Sequence, residues 1–488
     1  VTTRPRLLPE HVDSLFTLPL GVEIGKYHFS VLHSSTRALR WKSSCPEFTP
    51  GIENAEPLVR CFWMGEKVSS PGPEEYTPEW YLAFPWMQVS DCPDWQTVSC
   101  GVHNVWKEEV NGEGLAKLVE EIRGSGLDLP GQVSRAIELV QDSFRYLSVN
   151  VELGGQVPAP AETVIRRRYG DCKDLAFLLV LILRALGVQA RPVLVNVHWG
   201  KAVGSMLPSP NIFNHAVVEF ELGAERRWVD ATIKSQGGGA LRRAVSACGL
   251  GLPIGSSCEG LAETPRASLP NGEFSVHESF ILDTWGQPSY YAVVTTARGI
   301  HSDHFRLKLA NEGVESIARE RLQTCANRFT KAARIGALQF RDEREQNEFV
   351  FDEAFEVEGF FRQDTDRDAC LFIIQSDLVG GSLYCPSSVS RRTPFAPPFP
   401  CNYTHTVEVD FNGLETISIP VVQKGDEFLQ FARRSKSLPK YLRVTFTLNT
   451  KIACVPAEKV PEYRQRIQEI WRECTLQIRL RLGYGRTR

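Results

Sequence analysis

Between Asp171 and Gly187 the chain carries an apolar stretch, Leu175-Ala176-Phe177-Leu178-Leu179-Val180-Leu181-Ile182-Leu183, closed by Arg184-Ala185-Leu186. No other segment of the 488 residues restricts the fold as strongly. Asp171 is a good N-cap and Gly187 supplies a left-handed stop, so the pattern predicts one helix from Cys172 to Leu186. Apolar residues on nearly every face require that helix to be buried inside a domain. It is too short to cross a bilayer, which takes about 20 residues, and it contains Lys173, Asp174 and Arg184. The expected result is a core helix with a thiol, Cys172, in its first turn. A thiol becomes a useful nucleophile as thiolate, and both a helix N-terminus and a neighbouring imidazolium favour that form.

After Gly187 the pattern changes. Arg191 to His198 is β-branched and reads as a strand, and Gly200 to Pro210 reads as a Gly/Pro/Ser-rich loop. Phe213 to Glu221 and Arg226 to Thr232 then read as a hairpin turning at Gly223-Ala224. With that central pair, the residue opposite His215 is Thr232. Asp230 lies two positions along the same strand and therefore on the same face, beside the imidazole. A carboxylate there fixes the ring's tautomer and stabilises its cation, and the ring can hold the thiol proton if the helix start faces this sheet. Taken singly, a cysteine opening an apolar helix is usually a core residue and a strand histidine is usually structural. The conjunction of thiol, imidazole and carboxylate within 60 residues points instead to catalysis.

The same residues carry a family resemblance. Arg166-Arg167-Arg168-Tyr169-Gly170-Asp171-Cys172-Lys173-Asp174, then Asn214-His215-Ala216-Val217-Val218 and Trp228-Val229-Asp230-Ala231-Thr232, resemble the transglutaminase-like core of the papain-like thiol enzyme superfamily. By that resemblance Cys172 is the nucleophile, His215 the general base and acid, and Asp230 its orienter. The core is expected over about Asp128 to Ser246, led by a helix marked by Val133, Ala136, Ile137, Val140, Phe144 and Leu147 after Pro130-Gly131.

The flanks match less sharply. Leu58 to Trp106, with Phe84-Pro85-Trp86 and Asp94-Trp95, resembles the end of a β-rich domain that often precedes this core in bacterial proteins, and the region beyond about Pro265 resembles their β-rich C-terminal part. That N-terminal domain is normally longer and this chain opens on Val1, so the expectation is a truncated or processed start. The fold class expected is α+β: a papain-like transglutaminase core over residues 106–260, a β-rich domain over 1–105 and a β-rich region with a closing helix over 261–488, the flanks being of sandwich type. In detail, Phe274 to Leu282, Tyr290 to Thr296 and His304 to Leu309 alternate like strands, Glu312 to Arg334 reads helical, and strands resume from Glu348. Thr406 to Asp410, Thr416 to Val422 and Leu442 to Leu448 are further strands, and Ala457 to Cys474 is the closing helix before an Arg-bearing tail.

Composition is that of an ordinary globular chain: 42% hydrophobic, 23% charged and a net charge of −3 argue against nucleic-acid binding or membrane insertion. Thirteen cysteines cannot all pair within one chain and lack zinc-site spacing, so mostly free, buried thiols are expected. Cys92 with Cys100, Cys248 with Cys258, and Cys385 with Cys401 are the pairs that an oxidising compartment would bridge. The compartment itself stays open. His301-Ser302-Asp303-His304 lacks a third metal ligand, Arg166 to Arg168 is either a site for an acidic group or a basic turn paired with local carboxylates, and Gly237-Gly238-Gly239 is a flexible connection.

The chemistry expected is acyl transfer on a peptide or protein amide, without cofactor, metal or calcium. Cys172 attacks the carbonyl, His215 protonates the departing amine, and water or a second amine releases the acyl-enzyme. The backbone N–H of Cys172 meets the oxyanion with a second donor, for which Gln156 and then Tyr169 are the candidates. Hydrolysis is favoured because water is the default acceptor; deamidation or cross-linking by the same residues is the first alternative. An inactive scaffold with peptide-binding flanks is the second.

Overall fold

The computed structural model describes residues 7–44, 48–69, 72–106, 112–148, 157–245, 248–257, 260–282, 287–363, 369–411 and 416–481, and the elements counted below are those of the described residues. The chain divides into two compact units, Val1–Ser235 with Gly239–Pro270 and Gln236–Gly238 with Asn271–Arg488. The whole is mixed α+β, 27% helix and 37% strand. Among the described residues no helix is long and apolar enough to cross a membrane.

The first unit begins with β1 (Asp13–Thr17), β2 (Glu23–Ser34), β3 (Arg40–Ser43), β4 (Gly51–Ala55), β5 (Leu58–Ser69) and β6 (Trp86–Ser90). These form two antiparallel three-stranded sheets, β1-β6-β3 and β2-β5-β4, around Tyr27, Trp63, Met87 and Val89. Helices α1 (Trp95–Val105), α2 (Glu113–Arg123) and α3 (Leu129–Ser143) follow, then β7 (Arg145–Tyr146), α4 (Ala161–Arg167), β8 (Tyr169–Gly170) and α5 (Cys172–Ala185). The unit closes with β9 (Ala190–Val195), β10 (His215–Leu222), β11 (Glu225–Val229), β12 (Leu250–Pro253) and β13 (Ala262–Glu263), an antiparallel sheet in the order β11-β10-β9-β12-β13.

Helix α5 forms where its sequence dictates. Asp171 accepts from the Asp174 backbone N–H and Asp174 accepts from that of Asp171, each at 3.2 Å, a reciprocal cap, and Gly187 ends the helix at φ 88°. Leu175, Leu179, Val180, Ile182 and Leu183 are completely buried between α3 on one side and β9 and β10 on the other. Burying each such side chain contributes about 1.5–3 kcal/mol, so the helix is fixed by tertiary packing. The sheet is covered on both faces: Ala216, Val218 and Phe220 point into the helical core, while Val193, Val195, Val217 and Trp228 pack with Val245 and Cys248.

The Gly/Ser/Pro-rich stretch from Gly249 to Pro270 supplies β12 and β13. Gly251 pairs with Val195, and a Cβ there would meet Val193 Cγ1 at 2.8 Å; the glycine is what lets this strand lie against the valine-rich β9.

The second unit contains β14 (Phe274–Leu282), β15 (Ser289–Arg298), α6 (Ile300–Glu312), α7 (Val314–Arg328), β16 (Lys331–Glu343), β17 (Glu348–Glu358), β18 (Phe361–Gln363), β19 (Ala369–Gln375), α8 (Asp377–Gly381), β20 (Asn402–Phe411), β21 (Val422–Gly425), β22 (Leu429–Leu438), β23 (Tyr441–Thr450), α9 (Val460–Trp471) and β24 (Thr475–Arg481). Eight strands form one sheet, β16-β17-β15-β14-β20-β23-β22-β21, in which only β14 and β20 run parallel, and β18-β19-β24 form a second. A phenylalanine-rich core including Phe280, Phe355, Phe372 and Phe446 joins the two sheets and α9. His304 to Leu309 is helical, not a strand: Phe305 and Leu309, four residues apart, pack with Phe349 and Phe351 while Leu307 stays exposed. The helical segment after Glu312 ends at Arg328, with Lys331 already in β16, and the Arg-bearing tail holds β24. Residues 416–421 are not strand; β21 starts at Val422, and β22 was not foreseen.

Candidate active site

Cys172 occupies the first position of α5, half-buried, where the backbone N–H groups of the first turn have no intrahelical partner. Two ion pairs, the first buried and the second partly so, hold this turn in place. Lys173 Nζ donates to Asp171 Oδ2, and Arg167 Nη2 donates to Asp174 Oδ2. Asp174 Oδ1 also accepts from Ala159 N–H at 2.7 Å, tying the preceding segment to the helix start. Burial pushes the Asp171 carboxyl up, against the pull of Lys173. Gly170 is required by this arrangement, because a Cβ there would lie 2.7 Å from Asp174 Cβ. In the sequence, Lys173 and Asp174 counted only as charges against a membrane helix; their buried pairings could not be read from the chain.

The hairpin carries the other two groups. Val218 pairs with Val229 and Leu222 with Glu225 about the turn at Gly223, the register expected from the sequence. His215 opens β10 opposite Val195, and Asp230 follows the last residue of β11. His215 Nε2 and Asp230 Oδ2 are 2.7 Å apart, leaving Nδ1 as the ring nitrogen available to Cys172. Burial alone would lower the pKa of His215; hydrogen bonding to Asp230 and then Cys172, and the charges of both, outweigh it and carry it up to about 10. Asp230 is itself buried, which opposes ionisation, yet His215 and Thr232 hold it below the ordinary carboxylate range. Thr232 N–H and Oγ1–H donate to Asp230 Oδ1 at 2.8 and 2.7 Å. Behind it, Gln141 Nε2 on α3 donates to the Asp230 carbonyl at 2.8 Å, and Arg243, 1% exposed, donates to Gln141 Oε1 and Glu138 Oε1 at 2.7 Å each.

Cys172 and His215 open on one cavity of about 320 Å³. Its walls include Tyr146, Ser148, Asp171 and Lys173 as well as the apolar Leu7, Trp106, Leu194 and Phe213. Pro210 and Asn211 complete one side, and the N-terminal sheet braces them. Gln88 exchanges hydrogen bonds with the backbone of Leu207 at 2.7 and 2.9 Å, Ser90 Oγ donates to Pro208 O at 2.5 Å, and Asn211 Nδ2 donates to Asp13 Oδ2 at 2.7 Å.

The remaining candidates fall elsewhere. Gln156 lies outside the described residues. Tyr169 is exposed, receives the Arg167 guanidinium over its ring at 4.8 Å, and is not among the residues lining the cavity. Arg167 and Arg168 are engaged locally, by Asp174 and by the Phe144 ring at 5.2 Å. Asp303 accepts from Gly237 N–H and Arg306, and Ser302 bonds Asn347, so that segment builds the second unit. His11, Asp91 and Cys92 lie within 4.8 Å of one another, but Asp91 is already engaged by Arg37, His11 and Val12 N–H. Cys92, Cys100, Cys248 and Cys401 are free thiols, and Cys258 lies outside the described residues. Burial pushes Cys92 up to about 11 and Cys248, Cys325 and Cys474 up to about 12, which removes them as nucleophiles.

Residues 116–233 match the family model of the transglutaminase-like superfamily, and this part of the chain is a transglutaminase-like domain. The match contains α5, β10, β11 and Asp230. The fold as a whole is similar to a crystal structure of a "putative protease" from Parabacteroides distasonis ATCC 8503, with a TM-score of 0.65 and 12% identity over 98% of this chain and 77% of that one. A "putative cysteine protease" from Cytophaga hutchinsonii is 14% identical over 46% of this chain and 71% of its own, with a TM-score of 0.22. No curated protein matches the chain.

Proposed function

We propose that this protein is a thiol hydrolase of peptide or protein amides, with Cys172 as nucleophile, His215 as general base and acid, and Asp230 as the group that orients the ring. The observation that carries this reading is the 2.7 Å contact of Asp230 with His215 Nε2, which turns the other ring nitrogen toward a thiol at a helix N-terminus in an open cavity. Because His215 stays protonated well above neutrality, its ring holds a proton ready for the leaving amine. Sulfur attacks the carbonyl carbon, the C–N bond breaks as the amine takes the His215 proton, and water cleaves the resulting thioester. The Cys172 N–H, free at the helix start, faces the developing oxyanion. The apolar wall of Leu7, Trp106, Leu194 and Phe213 suits a peptide carrying an apolar side chain next to the scissile bond.

The test is incubation of wild type and Cys172→Ala with a mixed peptide library and a primary amine, read by mass spectrometry for cleavage, deamidation and amine incorporation. Cleavage by wild type alone is expected. Deamidation or amine incorporation would move the assignment to those acyl transfers, and unchanged peptides would leave a binding scaffold.

A further inference from the structure

A second cavity, of about 300 Å³, lies in the second unit, where the end of α7 meets β18 and β19. That is the lower end of the ~300–1,000 Å³ of small-molecule pockets, room for a ligand the size of one residue. Phe329, Phe360 and Phe372, all buried, form its apolar side. They are fixed by Phe280 and by one another: Phe360 stacks on Phe280 with centroids 3.8 Å apart, Phe329 meets Phe280 at 6.0 Å and Phe372 meets Phe360 at 5.6 Å. Two guanidiniums line the same cavity. Arg328 Nη1 donates to Glu278 Oε1 at 2.5 Å and to the Tyr291 hydroxyl at 3.3 Å, which leaves Nη2 for the cavity. Arg362, exposed on β18, donates from Nε to Gly359 O at 3.4 Å. Burial opposes ionisation of Glu278, but hydrogen bonding to His405 and the charge of Arg328 hold its carboxyl down to about 2, so it is a carboxylate. Among the described residues that line the cavity none is acidic. Asp377 stands outside it, exposed, and accepts from Gln375 Nε2 at 2.7 Å, so Gln375 offers the cavity its oxygen. Two guanidiniums against one buried carboxylate leave the cavity with one positive charge.

We propose that this cavity binds a monocarboxylate with an aromatic or branched apolar group, its charge on Arg328 and Arg362 and its body against the three phenylalanines. The planar fork of a guanidinium suits a carboxylate, and an aromatic group gains by packing on rings already held in place. A doubly charged phosphate would set a second negative charge close to Glu278, with only one positive charge to meet it. Two ligands share the required chemistry, the C-terminal residue of a peptide and a free aromatic acid. The peptide terminus also carries an N–H for Gln375 Oε1. Binding here does not require Cys172.

The test titrates the full chain carrying Cys172→Ala, which removes turnover, with N-acetylphenylalanine, its neutral amide, 3-phenylpropionate and phenyl phosphate. Methyl NMR signals of Leu371 and Ile373, both on the cavity wall, report occupancy. N-Acetylphenylalanine is expected to shift both signals to saturation, with the amide weaker by about 10-fold or more, the scale of a charge-assisted hydrogen bond. Arg362→Glu changes an exposed residue and leaves the Arg328–Glu278 pair in place; it is expected to weaken the acid about 10-fold and leave the amide unchanged. If that variant has a lower Tm, the comparison of acid with amide still decides. Equal binding of acid and amide, or an acid indifferent to Arg362→Glu, would overturn the site. So would phenyl phosphate bound more tightly than 3-phenylpropionate, or shifts confined to Leu7 and Leu194 in the cavity of Cys172. N-Acetylphenylalanine bound more tightly than 3-phenylpropionate supports the site with a peptide terminus as its ligand, and equal affinity supports it with a free acid.

Discussion

Replacing Asp230 by Asn tests the central pair with almost no change in shape. Asn keeps an oxygen for Thr232 N–H and Oγ1–H and therefore turns its NH₂ toward His215. The ring must then accept at Nε2 and carry its proton on Nδ1, the nitrogen that Cys172 needs unprotonated to give up its own proton. In the wild type the ring titrates near 10, against about 6.5 for a free imidazole, a preference for the cation of about 3–5 kcal/mol. Without the carboxylate the largest raising influence is gone, leaving burial against Cys172 alone, and the ring should titrate well below 10. The assay is ¹⁵N NMR of the His215 ring across pH, with turnover of a cleaved peptide expected to fall about 10²–10⁴-fold. Because the folded state binds this proton more tightly than the unfolded one, its stabilisation is complete below pH about 6.5 and disappears as pH rises through about 10. The stability gap between wild type and variant should therefore be widest near pH 6 and close toward pH 10. A His215 ring that still titrates near 10 in Asp230→Asn would refute the argument that the carboxylate sets its charge.

Two more perturbations probe the supports. Gly170→Ala puts a methyl 2.7 Å from Asp174 Cβ, so the cap of α5 must shift; a loss of about 1–3 kcal/mol in urea denaturation and a fall in Cys172 alkylation rate are expected, although no reacting group is touched. Arg243→Met leaves Gln141 and Glu138 without their buried guanidinium, and a loss of about 3–5 kcal/mol with a lower Tm is expected, along with reduced turnover because Gln141 holds the Asp230 carbonyl.

Much of the site was legible because its parts are encoded locally. An N-cap, an apolar run and a stop glycine fix α5 within a residue at its end, and a two-residue turn sets the register that brings His215 and Asp230 to one face. Where local signals conflict with packing, the reading failed. The alternation from His304 to Leu309 looks like a strand, but Phe305 and Leu309 find their partners as a helix.

By itself, then, the sequence determined the helix bearing the thiol and the imidazole–carboxylate pair, since both depend on neighbours at most 15 residues apart. Only the tertiary structure decided that the two elements face one cavity, that Tyr146 joins them, and that the N-terminal sheet braces the wall at Pro210 and Asn211. Those contacts join residues up to 198 positions apart, as between Asp13 and Asn211, and such distant pairs are set by which apolar faces can be buried together, a property of the packed core and not of any local segment.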